Sequence, residues 1–291
     1  MNDPIHLPFE DGKGGVDIGL RPIEESSWLE IDHLFSEEIA LKEKLYLEKK
    51  DQVLVTSPNS QDIQKEVLNL ILGHLKNHHN DSYELKTDTI ESKRNNHLYY
   101  FDDFQDPLEL ASLLVQEDLI IMKPKENIFY LDSASLCAPT RWSLREKFQQ
   151  SLSELHQSVP GYKDKIDSRV NTIFTNLPDQ KIFERYNWSI FDSPELFQPI
   201  SNKSLVEIKN TKPEELFIRV ERQTIRRLDY SRAVLFAVRV HVNPLTDIIN
   251  NKKAVFDLIQ AIQNLGEDMK TYKVIKPFEE SLINWLKSKN E

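Results

Sequence analysis

Apolar residues recur at helical spacing through the first quarter of the chain. Trp28, Ile31, Leu34, Phe35, Ile39 and Leu45 form a stripe behind Ser26 or Ser27 as the cap, predicting a helix to about residue 50. Val53, Leu54 and Val55 suggest a short strand over 51–56. Ser60 then opens a second helix to residue 79, burying Ile63, Val67, Leu70, Ile71 and Leu75. Residues 1–22, with three prolines and a glycine cluster, read as irregular, and the polar stretch 80–96 reads as a linker or surface loop.

Beyond residue 96 the periodicity changes. Residues 98–101 predict a strand, and 107–116 a short helix with proline in its first turn. Residues 119–122 and 128–131 predict two strands of a hairpin around Pro124-Lys125-Glu126-Asn127. Helices are expected over 143–156 and 163–177, separated by Val159-Pro160-Gly161, then a strand over 186–191 and a loop-rich stretch over 192–213. The two clearest strands are 216–224 and 233–242. In the second, Val234, Phe236, Val238, Val240 and Val242 share one face. Helices over 253–265 and 278–287 close the chain. Hairpin-linked strands with segregated helices imply an α+β fold built on an antiparallel sheet.

Composition narrows the function classes. The 291 residues carry a net charge of -10, against a general nucleic-acid binder. No apolar run is long enough for a membrane span, and the acidic start Met1-Asn2-Asp3-Pro4 shows no signal-peptide pattern. The lone Cys137 excludes an internal disulfide and a four-cysteine metal site. Only seven glycines are present, and neither a dinucleotide fingerprint nor a P-loop can be placed. A cytoplasmic protein is expected, with no nucleic-acid or membrane partner.

Arginine is unevenly placed. Arg219, Arg222, Arg226, Arg227, Arg232 and Arg239 are half of the chain's arginines. Alternation puts Arg222 on the apolar face of Leu216, Ile218 and Val220, and Arg219, Glu221 and Gln223 on the other, while Arg239 lies beside Ala237. Inward guanidiniums demand buried anions: a bidentate carboxylate or phosphate of a ligand, or internal acids such as Glu221. His156, at a predicted helix end, is a metal ligand or a dipole-satisfying residue. His74 and His78 have metal-ligand spacing or form a solvated helix end. Cys137 is a nucleophile or a small buried thiol. Glu221, Glu267 and Asp268 are carboxylates able to neutralise an ammonium group.

Taken in order, several segments resemble the haem-dependent oxidative N-demethylases, the oxygenase (α) subunit type of dimethylamine monooxygenase. They are Gly19-Leu20-Arg21-Pro22-Ile23 with Trp28-Leu29-Glu30-Ile31-Asp32, Leu114-Val115-Gln116-Glu117-Asp118-Leu119, and Cys137-Ala138-Pro139-Thr140-Arg141-Trp142. Leu155-His156-Gln157-Ser158-Val159-Pro160 and Arg185-Tyr186-Asn187-Trp188 follow. The most specific is Glu221-Arg222-Gln223-Thr224-Ile225-Arg226-Arg227-Leu228, followed by Phe236-Ala237-Val238-Arg239 and Asn243-Pro244-Leu245.

The resemblance implies a PAS-like haem-binding domain over 96–245, with an N-terminal helical extension (1–95) and a C-terminal one (246–291) packed on the same core. It implies oxidative N-demethylation of a small secondary alkylamine, dimethylamine-like, by a haem b monooxygenase using O₂. Electrons would come from separate reductase subunits bearing flavin and an iron–sulfur centre. It further implies Arg222, Arg239, Arg219, Arg226 and Thr224 as cofactor-binding residues, His156 as the axial ligand with His74 or His78 in reserve, and Glu267 and Gln223 as catalytic residues. Ala138-Pro139-Thr140, Asp229-Tyr230-Ser231-Arg232 and Ser158 depart from the family's usual residues, which bears on pocket shape and substrate. The competing expectation is a PAS-like haem sensor or carrier without turnover.

Overall fold

The computed structural model describes residues 6–13, 19–162, 167–200 and 205–290. An antiparallel sheet of seven strands runs through the fold in the order β1-β8-β9-β10-β6-β7-β2. The strands are β1 (Arg21–Ile23), β2 (Leu54–Thr56), β6 (Asp118–Lys125), β7 (Ile128–Ser135), β8 (Ile182–Phe191), β9 (Phe217–Arg227) and β10 (Val234–Pro244). A small sheet joins β3 (Tyr83–Leu85), β4 (Thr89–Ser92) and β5 (His97–Tyr100). Helices α1 (Phe35–Val53), α2 (Gln61–His78) and α3 (Pro107–Leu113) precede the central strands. Helices Lys252–Asn264, Glu267–Tyr272 and Glu279–Asn290 close the chain. The fold is α+β, as the strand pattern predicts.

Several elements differ from expectation for identifiable reasons. The first helix begins at Phe35 because the backbone of 27–32 is engaged by the core. Arg222 takes the carbonyls of Ser27 and Trp28, Glu117 accepts from the amide of Glu30, and Gln116 accepts from that of Asp32. The stretch expected to be a linker, 80–96, holds β3 and β4. The helix expected over 143–156 is two short ones, α4 (Leu144–Lys147) and α5 (Leu152–Leu155). Between them Gln149 adopts φ 62°, and residues 149 and 150 hydrogen-bond Leu131 on β7. The β6–β7 hairpin turns on Glu126 and Asn127, both with positive φ (53° and 65°), the pair a two-residue mirror-image turn requires. The helix expected over 163–177 is described from Asp167 to Thr175, its first residues lying outside the described set.

Pairing register separates the two faces of the large sheet. Ile182 and Glu184 on β8, Arg222 and Thr224 on β9, Leu235 and Ala237 on β10, and Leu119 and Ile121 on β6 share one face. All eight are buried. Toward one end this face packs the apolar residues of α1, α2 and α3, and toward the other Trp188, Ile190, Ile218 and Val220 pack the C-terminal helices. Lys42 on α1 is buried there and donates to the carbonyls of Ser112, Val115 and Glu117 at 3.0, 2.9 and 2.6 Å, closing the end of α3. The opposite face is incompletely covered at its centre. Ile120, Phe183, Arg185, Asn187, Glu221, Gln223 and Phe236 lie there on four adjacent strands, all half-buried. A central strand rarely leaves such residues half-exposed unless something else covers them.

Candidate functional site on the open sheet face

The polar half of the open face is organised around Glu221. Its carboxylate accepts from Thr140 Oγ1 at 2.5 Å, Gln223 Nε2 at 2.7 Å and Asn187 Nδ2 at 3.3 Å. Gln223 sits two positions along β9 and Asn187 is the β8 residue paired with Glu221, so strand geometry alone sets two of the three donors. The third comes from the loop after β7, which Arg219 secures. Arg219 donates to Thr140 Oγ1 at 3.2 Å and to the carbonyls of Ala138, Glu195 and Leu196 at 2.9, 3.1 and 3.0 Å. Burial lowers Arg219 to about 10.

Lys273 stands beside this group. Its ammonium donates to Asn187 Oδ1 at 2.9 Å and to the carbonyl of Trp188, and lies 5.3 Å from the Trp188 ring centre. Burial lowers it to about 8, with Arg185 pushing the same way and Glu221 opposing. A carboxylate, a weakly held ammonium and an arginine thus share one half-open surface.

The apolar half lies next to it. Ile120, Phe183 and Phe236 pack with Trp142, Phe148 and Leu155 against the buried cluster of Met122, Phe129, Leu131, Leu152 and Phe174. His156 follows α5 directly. Its Nδ1 faces the Leu152 carbonyl at 2.8 Å, so Nδ1 carries a proton. The ring stacks on Tyr162, 4.5 Å between centres and 9° between planes. A backbone carbonyl holding Nδ1–H is the usual way an imidazole is oriented as a ligand through Nε2.

The other arginines expected at a cofactor are engaged by the protein's own acceptors, the internal ion-pairing alternative of the sequence. Arg222 pairs with Glu184 at 2.8 Å and donates to Trp28 O at 2.9 Å. Arg239 pairs with Asp32 at 2.7 Å and Glu38 at 2.8 Å. Burial alone would push Asp32 up, but Arg239 holds it below the usual range, whereas burial leaves Glu38 above it. Arg226 pairs with Glu25 at 2.9 Å and lies over the Trp28 ring at 4.4 Å. Thr224 donates to the Ala237 carbonyl at 3.4 Å. Arg222, Thr224, Arg226 and Arg239 all belong to the sealed face. Of the β9 residues singled out in the sequence, Glu221 and Gln223 lie on the open face, with Arg219 on the same side but buried.

The remaining candidates separate clearly. Glu267 is exposed and paired with Lys270 and Lys276, outside the Glu221 group. Cys137 is buried, and burial raises its thiol to about 12, so it is a core residue. His74 is buried edge-on against Trp28, with Nδ1 3.4 Å from Glu25. Its ring lies 4.9 Å from that of His78, yet among the described residues neither joins a cluster of three potential metal ligands. Lys273 escaped sequence reasoning: the chain places it some fifty residues after Glu221, and no local pattern signals their meeting.

The residues of the open face fit a flat, largely apolar, anionic macrocycle in donor chemistry. They supply an aromatic and aliphatic bed and flanking cationic groups, and the imidazole of His156, with its Nδ1 fixed, follows Leu155 of that bed. Among the described residues no helix is long and apolar enough to cross a membrane. A family model described as haem-dependent oxidative N-demethylase, alpha subunit-like, matches residues 19–283.

Proposed function

The chain belongs to the haem-dependent oxidative N-demethylase, alpha subunit-like family, and from that premise we propose that it demethylates a small secondary alkylamine on the open face of its sheet. For dimethylamine the balance is (CH₃)₂NH + O₂ + 2e⁻ + 2H⁺ → CH₃NH₂ + CH₂O + H₂O. Haem b, when bound, supplies the oxygen activation. The two electrons come from separate reductase subunits bearing flavin and an iron–sulfur centre, since this chain carries one buried cysteine and no dinucleotide fingerprint. The cytoplasm suits such a partnership.

The observation that carries this reading is Glu221, a half-buried carboxylate on the same sheet face as a half-buried apolar bed. A protonated alkylamine needs an anion and a water-poor surface for its methyl groups, and both are present within one sheet face. Glu221 binds the substrate ammonium; Gln223, Asn187 and Thr140 hold the carboxylate in place. Ile120, Phe183 and Phe236 exclude water and bed the macrocycle. His156 would be the iron ligand, and Arg185, opposite Gln223 on β8, would meet a carboxylate of the macrocycle. Arg219 positions Thr140, while Arg222, Arg226, Arg239 and Thr224 stabilise the sheet from behind. The role assigned to Glu267 by resemblance passes to Glu221. Residues 96–245 then form the PAS-like haem domain, with 1–95 and 246–291 as extensions on the same core.

The test is an optical spectrum of the haem-reconstituted chain, with and without dimethylamine, repeated for His156→Ala. The expected result is one haem per chain, a spectral response to amine, and an altered ligand signature in the variant. Haem uptake without any amine response would instead indicate a sensor or carrier module. No haem uptake would refute the reading.

A further inference from the structure

We infer that His6, Glu30 and His241 form a binding site for a divalent transition-metal cation of the zinc class, separate from the open sheet face. His6 Nε2 lies 2.9 Å from Glu30 Oε1, and His241 Nε2 lies 2.8 Å from Glu30 Oε2. The two imidazole centres are 5.1 Å apart in edge-on geometry. Among the described residues this is the one group of three potential ligands whose donor atoms all fall within 4.8 Å of one another. The three come from remote parts of the chain: the N-terminal segment, the stretch before α1, and β10. They converge because His241 projects from the sealed face next to Arg239, where residues 27–32 are pinned against the sheet.

The donor set has the right chemistry. Two imidazoles and one carboxylate suit zinc, nickel, cobalt or iron(II), and leave a further coordination position open. Zinc-to-ligand distances of about 2.0–2.2 Å put tetrahedral donors roughly 3.3 Å apart, so the two histidine–Glu30 contacts at 2.9 and 2.8 Å would open by about half an ångström. Each oxygen of Glu30 faces one ring, while Arg222 lies 3.5 Å from Glu30 and 2.8 Å from Glu184, which Arg21 meets as well. Side-chain exposures of 18% for His6 and 25% for Glu30 leave the group reachable from solvent.

The site lies apart from the haem reading, because His241 shares the face of Arg239 and not that of Glu221 and Gln223; Glu30 and His241 fall within the stretch matched by the family model and His6 precedes it. Isothermal titration of Zn²⁺ into the full chain tests it, with His6→Ala, His241→Gln and a His78→Gln/His79→Gln control. The expected result is one Zn²⁺ per chain, weakened at least about tenfold by His6→Ala and by His241→Gln and unchanged in the control. His6 lies at the margin of the fold, so His6→Ala decides the matter if His241→Gln fails to fold. Zinc binding equal in His6→Ala and the parent, absent from both, or lost in the control, would overturn the assignment.

Discussion

Arg222 and Arg239 stand directly opposite one another on β9 and β10. Like charges in that position repel. They coexist because each is neutralised separately, Arg222 by Glu184 and Arg239 by Asp32 and Glu38. This network, rather than a ligand, explains why so acidic a chain concentrates its arginines on two strands. The acids that meet Arg226 and Arg239, Glu25, Asp32 and Glu38, come from around the start of α1, some 200 positions earlier.

Arg239→Met leaves Asp32 and Glu38 close together without their cation. Breaking a buried pair from one side costs about 3–5 kcal/mol, and the variant is expected to lose that much in urea denaturation. A loss below about 1 kcal/mol would show that the pair contributes little.

Glu25 gives a pH dependence with a definite sign. His74 and Arg226 lower its pKa from 4.5 to about 2 in the folded chain. A depressed carboxylate contributes stability above its unfolded pKa and loses it as pH falls toward the folded one. Its side chain is 42% exposed, so the full shift is discounted for solvent screening to about 1 kcal/mol. Glu25→Gln is expected to cost that amount at pH 7 and nothing near pH 2. A cost independent of pH would mean that the loss is one of packing.

Lys273 sets a second dependence, on activity. If Glu221 holds the amine as proposed, the Lys273 ammonium opposes its binding electrostatically below about pH 8 and ceases to do so above it. With added reductase, kcat/KM for dimethylamine is expected to rise roughly tenfold through a limb near pH 8. Lys273→Met removes the limb. A limb surviving in that variant would assign it to another group.

How much was legible in the sequence depends on the range of the interaction. Strict alternation marked β9 and β10 and put Arg222 and Gln223 on opposite faces, as found. The turn residues of the β6–β7 hairpin were equally local signals. Strands β3 and β4 were missed because three or four residues, with one or two apolar side chains in each, carry too little pattern. The split between α4 and α5 was missed because it depends on hydrogen bonds to Leu131. The partners of Arg222 and Arg239 were open to two readings, since a guanidinium's need for an anion says nothing about which anion answers it. Glu221 was recognisable as a carboxylate in a family-like motif, but its three donors depend on register and on a loop held by Arg219.

The account stands on Glu221, not Glu267, holding the amine. The most direct measurement is a dimethylamine titration of the haem-reconstituted chain, followed optically, for the parent, Glu221→Gln and Glu267→Gln. Loss of a charge-assisted contact of about 1.5–3 kcal/mol predicts affinity weakened about 10- to 150-fold in Glu221→Gln, with haem content retained, and no change in Glu267→Gln. Unaltered affinity in Glu221→Gln, or loss in Glu267→Gln alone, would contradict it.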